Sequence, residues 1–216
     1  MFKEKVRHLL EAMLTALLFC TQTILAHFGF ISLMAIPLLP YLTYLLIGQL
    51  SVSAEIEIEV HVYLFASEFI VGRIIAFAGL AVLLIAAAQF LQNRSKGAGL
   101  IRAGLYSRVR HPQFMGIITI TSGLTVIVLT LVTSNKPQII GLWLIQVLGY
   151  IGIARYEETH LLKKFGESFS QYRRDVPFMF PIRSPRRIPE TVFTVLIAVL
   201  ICFLFLVFPF NLIRIL

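Results

Sequence analysis

The chain has 216 residues, 58% of them hydrophobic and only 14% charged, with a formal charge of +8. Soluble domains carry roughly half apolar and a quarter charged residues, so this composition excludes an ordinary water-soluble globule. No aromatic-rich basic module accompanies the positive charge, which excludes a single-strand nucleic-acid binder; basic loops that orient a membrane protein and meet anionic lipid account for it.

The first eight residues are basic and precede an apolar run. That run is too long for a signal core and lacks a clean cleavage site, so it is expected as a membrane span. Apolar stretches follow over Leu9–Phe28, Gly29–Leu50, Phe69–Leu91, Phe114–Val132, Gln138–Ala154 and Thr191–Phe210. Each approaches the roughly 20 residues that cross a hydrocarbon core. Lipid offers the backbone no hydrogen bonds, so these stretches are expected as helices. The first two run together, and as one helix they would rise ~63 Å, about twice a bilayer core. The segment therefore folds back, with Gly29, Pro37 and Pro40 as turn or kink points. It forms two spans, or one span plus a re-entrant piece.

The loop Ser51–Tyr63 alternates Glu55-Ile56-Glu57-Ile58-Glu59-Val60-His61-Val62, a period-two pattern that suits a short strand or an amphipathic edge. The segments Asn93–His111 and Arg155–Arg187 together hold 13 of the 19 basic residues. An even number of spans separates them, so they share a side, and the positive-inside rule makes that side cytoplasmic. Six spans then put both termini outside, where Lys3, Lys5 and Arg7 break the rule; five spans bring the N-terminus inside. Six is the preferred number. Gly166–Pro189 is polar, basic and proline-containing, and is expected to lie on the membrane surface and close over a site. Cys20 and Cys202 both fall in apolar runs, without partner spacing for a disulfide or a metal.

Two polar clusters flank one apolar hairpin. The first is Arg110-His111-Pro112-Gln113-Phe114-Met115-Gly116. Pro112 suits the first turn of the following helix, leaving His111 at a helix mouth that favours an anionic group. The second is Arg155-Tyr156-Glu157-Glu158. Glu157 lies one helical turn before Leu161 and two before Phe165, so its carboxylate falls on an apolar face and needs a partner. Arg155, Arg110 or the ammonium of a ligand would serve. Glu157 and His160 make a single Glu-x-x-His pair, whereas di-iron bundles need two such pairs on facing helices plus two more glutamates, so no metal is expected. Gly97-Ala98-Gly99 has Arg102 at the third glycine position of a dinucleotide fingerprint and is a weak signal.

The ordered motifs Gly104-x-Tyr106-x-x-x-Arg110-His111-Pro112-x-Phe114-x-Gly116 and Glu157-Glu158-x-x-Leu161-x-x-x-Phe165-Gly166-x-x-Phe169-x-x-Tyr172-x-x-x-Val176-Pro177 closely resemble the isoprenylcysteine carboxyl methyltransferases and the wider membrane phospholipid methyltransferases. The likeness covers about Gln92 to Pro181. It implies methyl transfer from S-adenosylmethionine to a lipophilic or prenylated acceptor at the cytosolic face of an integral membrane protein. It further implies a cofactor lined by Gln92, Leu100, Ile101, Tyr106, His111, Pro112, Gln113 and Phe114, with Glu157 on its ammonium. In those enzymes an arginine four residues before the cofactor-binding glutamate holds the substrate carboxylate. Here that position is Ile153, leaving Arg155, Arg110 and Glu158 as the candidate catalytic set.

The expected fold is an all-α, polytopic membrane helical bundle of five or six spans with a cytosolic-face cofactor pocket. It divides into N-terminal transmembrane helices (1–91), a methyltransferase region with a transmembrane hairpin (92–181), and a basic linker with a C-terminal span (182–216). Two other readings compete. One is a membrane reductase of the sterol-reductase type, with Arg94, Arg102 and Arg108 available to the extra phosphate of NADPH. The other is a non-catalytic scaffold.

Overall fold

The computed structural model describes residues 34–53, 67–95, 99–131 and 136–212. The span expected at Leu9–Phe28 and the alternating segment 55–62 lie outside the described residues. Within them the chain is helical, with no strand. The long helices are α1 (Leu38–Ser53), α2 (Ile70–Ser95), α3 (Pro112–Leu131), α4 (Lys136–Phe165) and α6 (Glu190–Leu212), and α5 (Glu167–Asp175) is short. Single 3-10 turns at Ser67–Phe69 and Gly104–Ser107 precede α2 and α3.

Among the described residues, four segments are long and apolar enough to cross a membrane: Ser67–Asn93, Pro112–Thr130, Gln138–Phe165 and Glu190–Val207. The helices run past several expected bounds. The span expected to end at Ala154 belongs to a 30-residue helix that continues to Phe165, a rise of ~45 Å against a core of ~30 Å. No glycine or proline interrupts α4 between Gly152 and Gly166, so it keeps its hydrogen bonding as it leaves the apolar zone and stops at Gly166, whose φ is 52°. The expected stretch Gly29–Leu50 is described only from Met34. There a turn through Pro37 delivers α1, whose 16 residues rise ~24 Å, less than a full core.

The helices alternate in direction. α3 and α4 form an antiparallel hairpin, with Gln146 donating to Thr121 Oγ1 across it at 3.2 Å. α2 runs beside α3 with backbones in close approach, because glycines face each other. A Cβ on Gly79 would come within 2.5 Å of the Ile120 nitrogen, and one on Gly123 would strike the Gly72 carbonyl. Small residues that admit such approach are the membrane solution to helix packing, where lipid tails compete with any apolar side chain.

α4 is central, packed on α1, α3, α5 and α6. Trp143, Val147, Tyr150 and Ala154 supply its buried face against Tyr41, Phe114, Ile118, Ala198 and Phe205. Tyr41 ties α1 to α3, donating to the Thr121 carbonyl at 2.9 Å with its hydroxyl 2.7 Å from Thr125 Oγ1. α2 is only sparsely buried, and Ile74, Phe77 and Leu84 are exposed along it, an outer face suited to lipid. The consequence for the site is geometric. The C-terminal ends of α2 and α4 and the N-terminal ends of α3 and α6 meet at one end of the bundle, and the Gly99–His111 loop, α5 and the strap from Val176 to Pro189 close over it.

Candidate functional site

The loop before α3 is shaped by Gly104, whose φ of 63° favours a residue without Cβ. A Cβ there would also run into Gln89, whose Oε1 accepts the Leu105 N–H at 3.0 Å. The turn that follows buries Tyr106. The Tyr106 hydroxyl donates to Gln113 Oε1 at 3.1 Å, and its carbonyl accepts the Tyr172 hydroxyl at 2.6 Å. Three elements are thereby pinned together: the loop, the first turn of α3, and α5. Arg102 adds a second tie, donating to the carbonyl and hydroxyl of Ser168. Phe169, Tyr172 and Val176 pack on Leu100, Leu161 and Phe165 beneath α5. Of the segment expected to lie on the membrane surface and close over a site, α5 packs here, on residues that line the cleft.

Beneath this cover lies a cleft of about 320 Å³, within the ~300–1,000 Å³ usual for small-molecule sites. Leu100, Ile101, Tyr106, Arg110, Gln113, Glu157, Leu161, Phe165 and Tyr172 face it. Four of the proposed cofactor residues are not on its wall. Phe114 is fully buried, stacked on Tyr150 at 5.2 Å. His111 and Pro112 are buried behind it. Gln92 lies on α2 beside the lining residue Asn93, on a different helical face. Conversely Phe90, Asn93, Gly99 and Lys164 line the cleft without having been expected. The signal was there in spacing: Phe90 and Asn93 are three apart, and Glu157, Leu161, Lys164 and Phe165 follow the i, i+4, i+7, i+8 rhythm of one helix face.

Arg155 is about 200° around α4 from Glu157. It faces a second cavity, with Leu162, Ser170, Arg173 and Arg174. Glu158 lies between the two cavities, 4% exposed along its side chain, and four cationic groups converge on it. Arg110 Nη1 pairs with Oε1 at 2.8 Å, and His111 Nε2 lies 3.4 Å from the same oxygen. Arg155 Nη1 donates to Oε2 at 3.0 Å, with Arg173 Nε at 3.8 Å. Arg110 also holds Glu190 at the start of α6 through a short ion pair, and its backbone N–H donates to the Pro177 carbonyl at 3.0 Å. Both arginines considered as partners for Glu157 therefore serve its neighbour.

Glu157 is left with His111, whose Nδ1 lies 3.3 Å from Oε2. That contact lacks hydrogen-bond alignment, and Glu157 Oε2 is buried with no hydrogen-bond partner. A carboxylate oxygen held out of water in this way is short of one well-aligned hydrogen-bond donor. Burial opposes protonation of His111, but the Glu157 and Glu158 carboxylates on either side outweigh it, and the imidazole's pKa is raised above its ordinary 6.5. Its ring is fixed by Phe114 at 5.5 Å and edge-on by Phe178 at 5.3 Å. Burial, reinforced by the nearby Glu157 charge, pushes the Tyr106 hydroxyl well above its usual range, so it remains a donor at neutral pH. Lys164 stands over the Phe165 ring at 5.2 Å. No group of three or more metal-ligating side chains occurs among the described residues.

Residues 17–176 match the family model described as Protein of unknown function (DUF1295). No curated protein and no solved structure gives a match. Since the family model spans well over half of the chain, the protein belongs to that family.

Proposed function

We propose that the chain is a membrane enzyme whose cleft binds S-adenosylmethionine and transfers its methyl group to a lipophilic acceptor. The reading rests on one observation above others: Glu157 lines the cleft, and its buried Oε2, with only the poorly aligned His111 Nδ1 at 3.3 Å beside it, lacks a hydrogen-bond partner. The site calls for a cationic ligand group, and S-adenosylmethionine carries an ammonium as well as a sulfonium. Glu157 would accept the ammonium, with His111 and Glu158 behind it fixing its position. Gln113 has its oxygen committed to Tyr106, which leaves its amide NH2 as a donor. Lys164 at the rim offers the opposite charge for a carboxylate, and Phe90, Tyr106, Phe165 and Tyr172 provide rings against which a base would pack.

Bound S-adenosylmethionine supplies an already activated methyl group, so no nucleophilic side chain is required. The protein's work is orientation and exclusion of water, and orientation alone can be worth about 7–11 kcal/mol. A carboxylate acceptor is ionised at neutral pH and needs no general base, whereas an amine acceptor must first lose a proton. The likeness of the Arg-His-Pro and Glu-Glu motifs to the isoprenylcysteine carboxyl methyltransferases supports the same chemistry. The wealth of basic residues in the loops at this end of the bundle supports a cytosolic position for the cleft.

A second reading has its own support. Members of the family are described as steroid 5-alpha reductase-like membrane proteins, and Lys164 at the cleft rim suits a phosphate as well as a carboxylate. Ligand-dependent melting in detergent separates the two. A ligand present at a hundred times its dissociation constant stabilises by about 2.7 kcal/mol. S-adenosylhomocysteine is expected to raise the melting temperature of the wild type, and Glu157→Gln to weaken that binding by about tenfold or more, the worth of a charged hydrogen bond. Stabilisation by NADPH alone would transfer the assignment to the reductase. An unchanged affinity of Glu157→Gln for S-adenosylhomocysteine would remove the role given to Glu157.

A further inference from the structure

The cavity on the far side of Glu158 is not needed by the cofactor cleft. It has a volume of about 530 Å³ and is lined by Arg155, Arg173, Arg174, Leu162, Ile188 and Glu190, among others. The charges there do not balance. Arg155 and Arg173 both approach the same oxygen of Glu158, whose other oxygen already faces Arg110 and His111. Glu190, the acid on the cavity wall, is paired with Arg110. Arg174 reaches Glu167 at 2.7 Å, but that pair is open to solvent and screened there. Arg155 and Arg173 thus share a single carboxylate oxygen and leave most of their guanidinium N–H groups uncommitted to any acid among the described residues. Both side chains are partly open to the cavity, at 33% and 41% exposure. Arg155 is held in place by Phe178, 5.1 Å from its guanidinium carbon, so one of the two donors is preorganised.

The cavity's height in the bundle says what kind of anion reaches it. Ile188, Pro189 and Glu190 stand where α6 begins its apolar run, at the end of a candidate membrane span. Arg155 lies 17 residues beyond Gln138, the start of the α4 span, or ~26 Å along the helix axis. That distance places the guanidinium near the edge of a ~30 Å hydrocarbon core. Further along α6, into its apolar run, Val192 and Leu196 are exposed and offer an apolar wall. A positively charged pocket at headgroup level above an apolar wall is the arrangement by which membrane proteins hold anionic lipid, and a pair of guanidinium forks suits phosphate oxygens.

We propose that the cavity between the end of α4, α5 and the start of α6 is a binding site for the phosphate headgroup of an anionic phospholipid, held by Arg155 and Arg173 and separated from the cofactor cleft by Glu158 and the Arg110–Glu190 pair. The assignment does not depend on the chemistry proposed for the cleft.

The test uses the full chain purified in a neutral detergent. Native mass spectrometry and melting curves are recorded with phosphatidylglycerol, with phosphatidylcholine and with inorganic phosphate. Phosphatidylglycerol is expected to bind and stabilise, the other two not. The double change Arg155→Gln/Arg173→Gln is expected to raise the phosphatidylglycerol dissociation constant by about thirty-fold, near fivefold for each arginine. Arg186→Gln/Arg187→Gln, off the cavity wall, is expected to leave it within about twofold on the same scale. If the glutamine pair does not fold, Arg155→Lys/Arg173→Lys keeps the charge facing Glu158 and is expected to weaken the lipid partially, through loss of the forked geometry. Equal binding of phosphatidylcholine, or equal loss in the Arg186/Arg187 pair, overturns the site. So does undiminished phosphatidylglycerol binding in whichever Arg155/Arg173 variant folds. Full reproduction of the stabilisation by inorganic phosphate overturns the lipid assignment.

Discussion

At the scale of single residues, adjacent glutamates take opposite parts because a helix turns about 100° per residue. Glu158 turns inward to four cationic groups; Glu157 turns to the cleft and keeps an oxygen without a hydrogen-bond donor. Removing the charge of Glu158 leaves Arg110, buried to 1% exposure, with fewer compensating contacts. Glu158→Gln is therefore expected to destabilise by about 3–5 kcal/mol, the cost of breaking a buried pair from one side, measured by melting in detergent. A loss below 1 kcal/mol would mean that the network is more solvated than its burial implies. His111 gives a pH dependence. Its pKa is higher folded than unfolded, so its contribution is complete below about 6.5, the ordinary value, and is lost as pH rises through the raised one. The melting temperature is expected to fall as pH rises above about 6.5, and His111→Gln to flatten that part of the curve. Identical slopes in both proteins would rule out the imidazole as the cause.

At the scale of elements, the glycine seam between α2 and α3 fixes how close the site's two neighbouring segments lie. Gly79, Gly116 and Gly123 each face backbone atoms of the opposite helix or its immediate neighbours. Gly123→Ala is expected to cost about 1–3 kcal/mol by overpacking, while Gly152→Ala, whose Cβ meets nothing within 4 Å, is expected to be neutral or stabilising. Comparable melting temperatures for the two variants would show that α2 and α3 pack less closely than the structure has them. The spacing of glycines announces a close approach, but the partner that each one meets comes from the helix pairing.

For the whole molecule, the Gly99–His111 loop, the end of α4 and the strap before α6 form one polar end. Single cysteines at exposed Ser107 and Arg186 are expected to react with impermeant thiol reagents from the same side of sealed vesicles, the cytosolic one under the positive-inside rule. Labelling from opposite sides would break the hairpin topology. Lys3, Lys5 and Arg7 bear on the side of the N-terminus and lie outside the described residues.

What the amino-acid order determined by itself was local. Length of apolar run, helix periodicity and the placing of Pro112 and Gly166 were enough for an all-helical membrane bundle, for a hairpin between two polar clusters, and for Glu157, Leu161 and Phe165 on one face. Tertiary structure decided the rest. Arg110 goes to Glu158 and Glu190 rather than Glu157, Arg155 belongs to a second cavity, and His111 sits behind the cleft and not on its wall. Charge pairing depends on which side chains meet across 47 or 80 positions of chain, and a buried carboxylate selects among several arginines by distance and desolvation. Both of those are set by how α3, α4 and α6 pack, not by the order in which the residues are written.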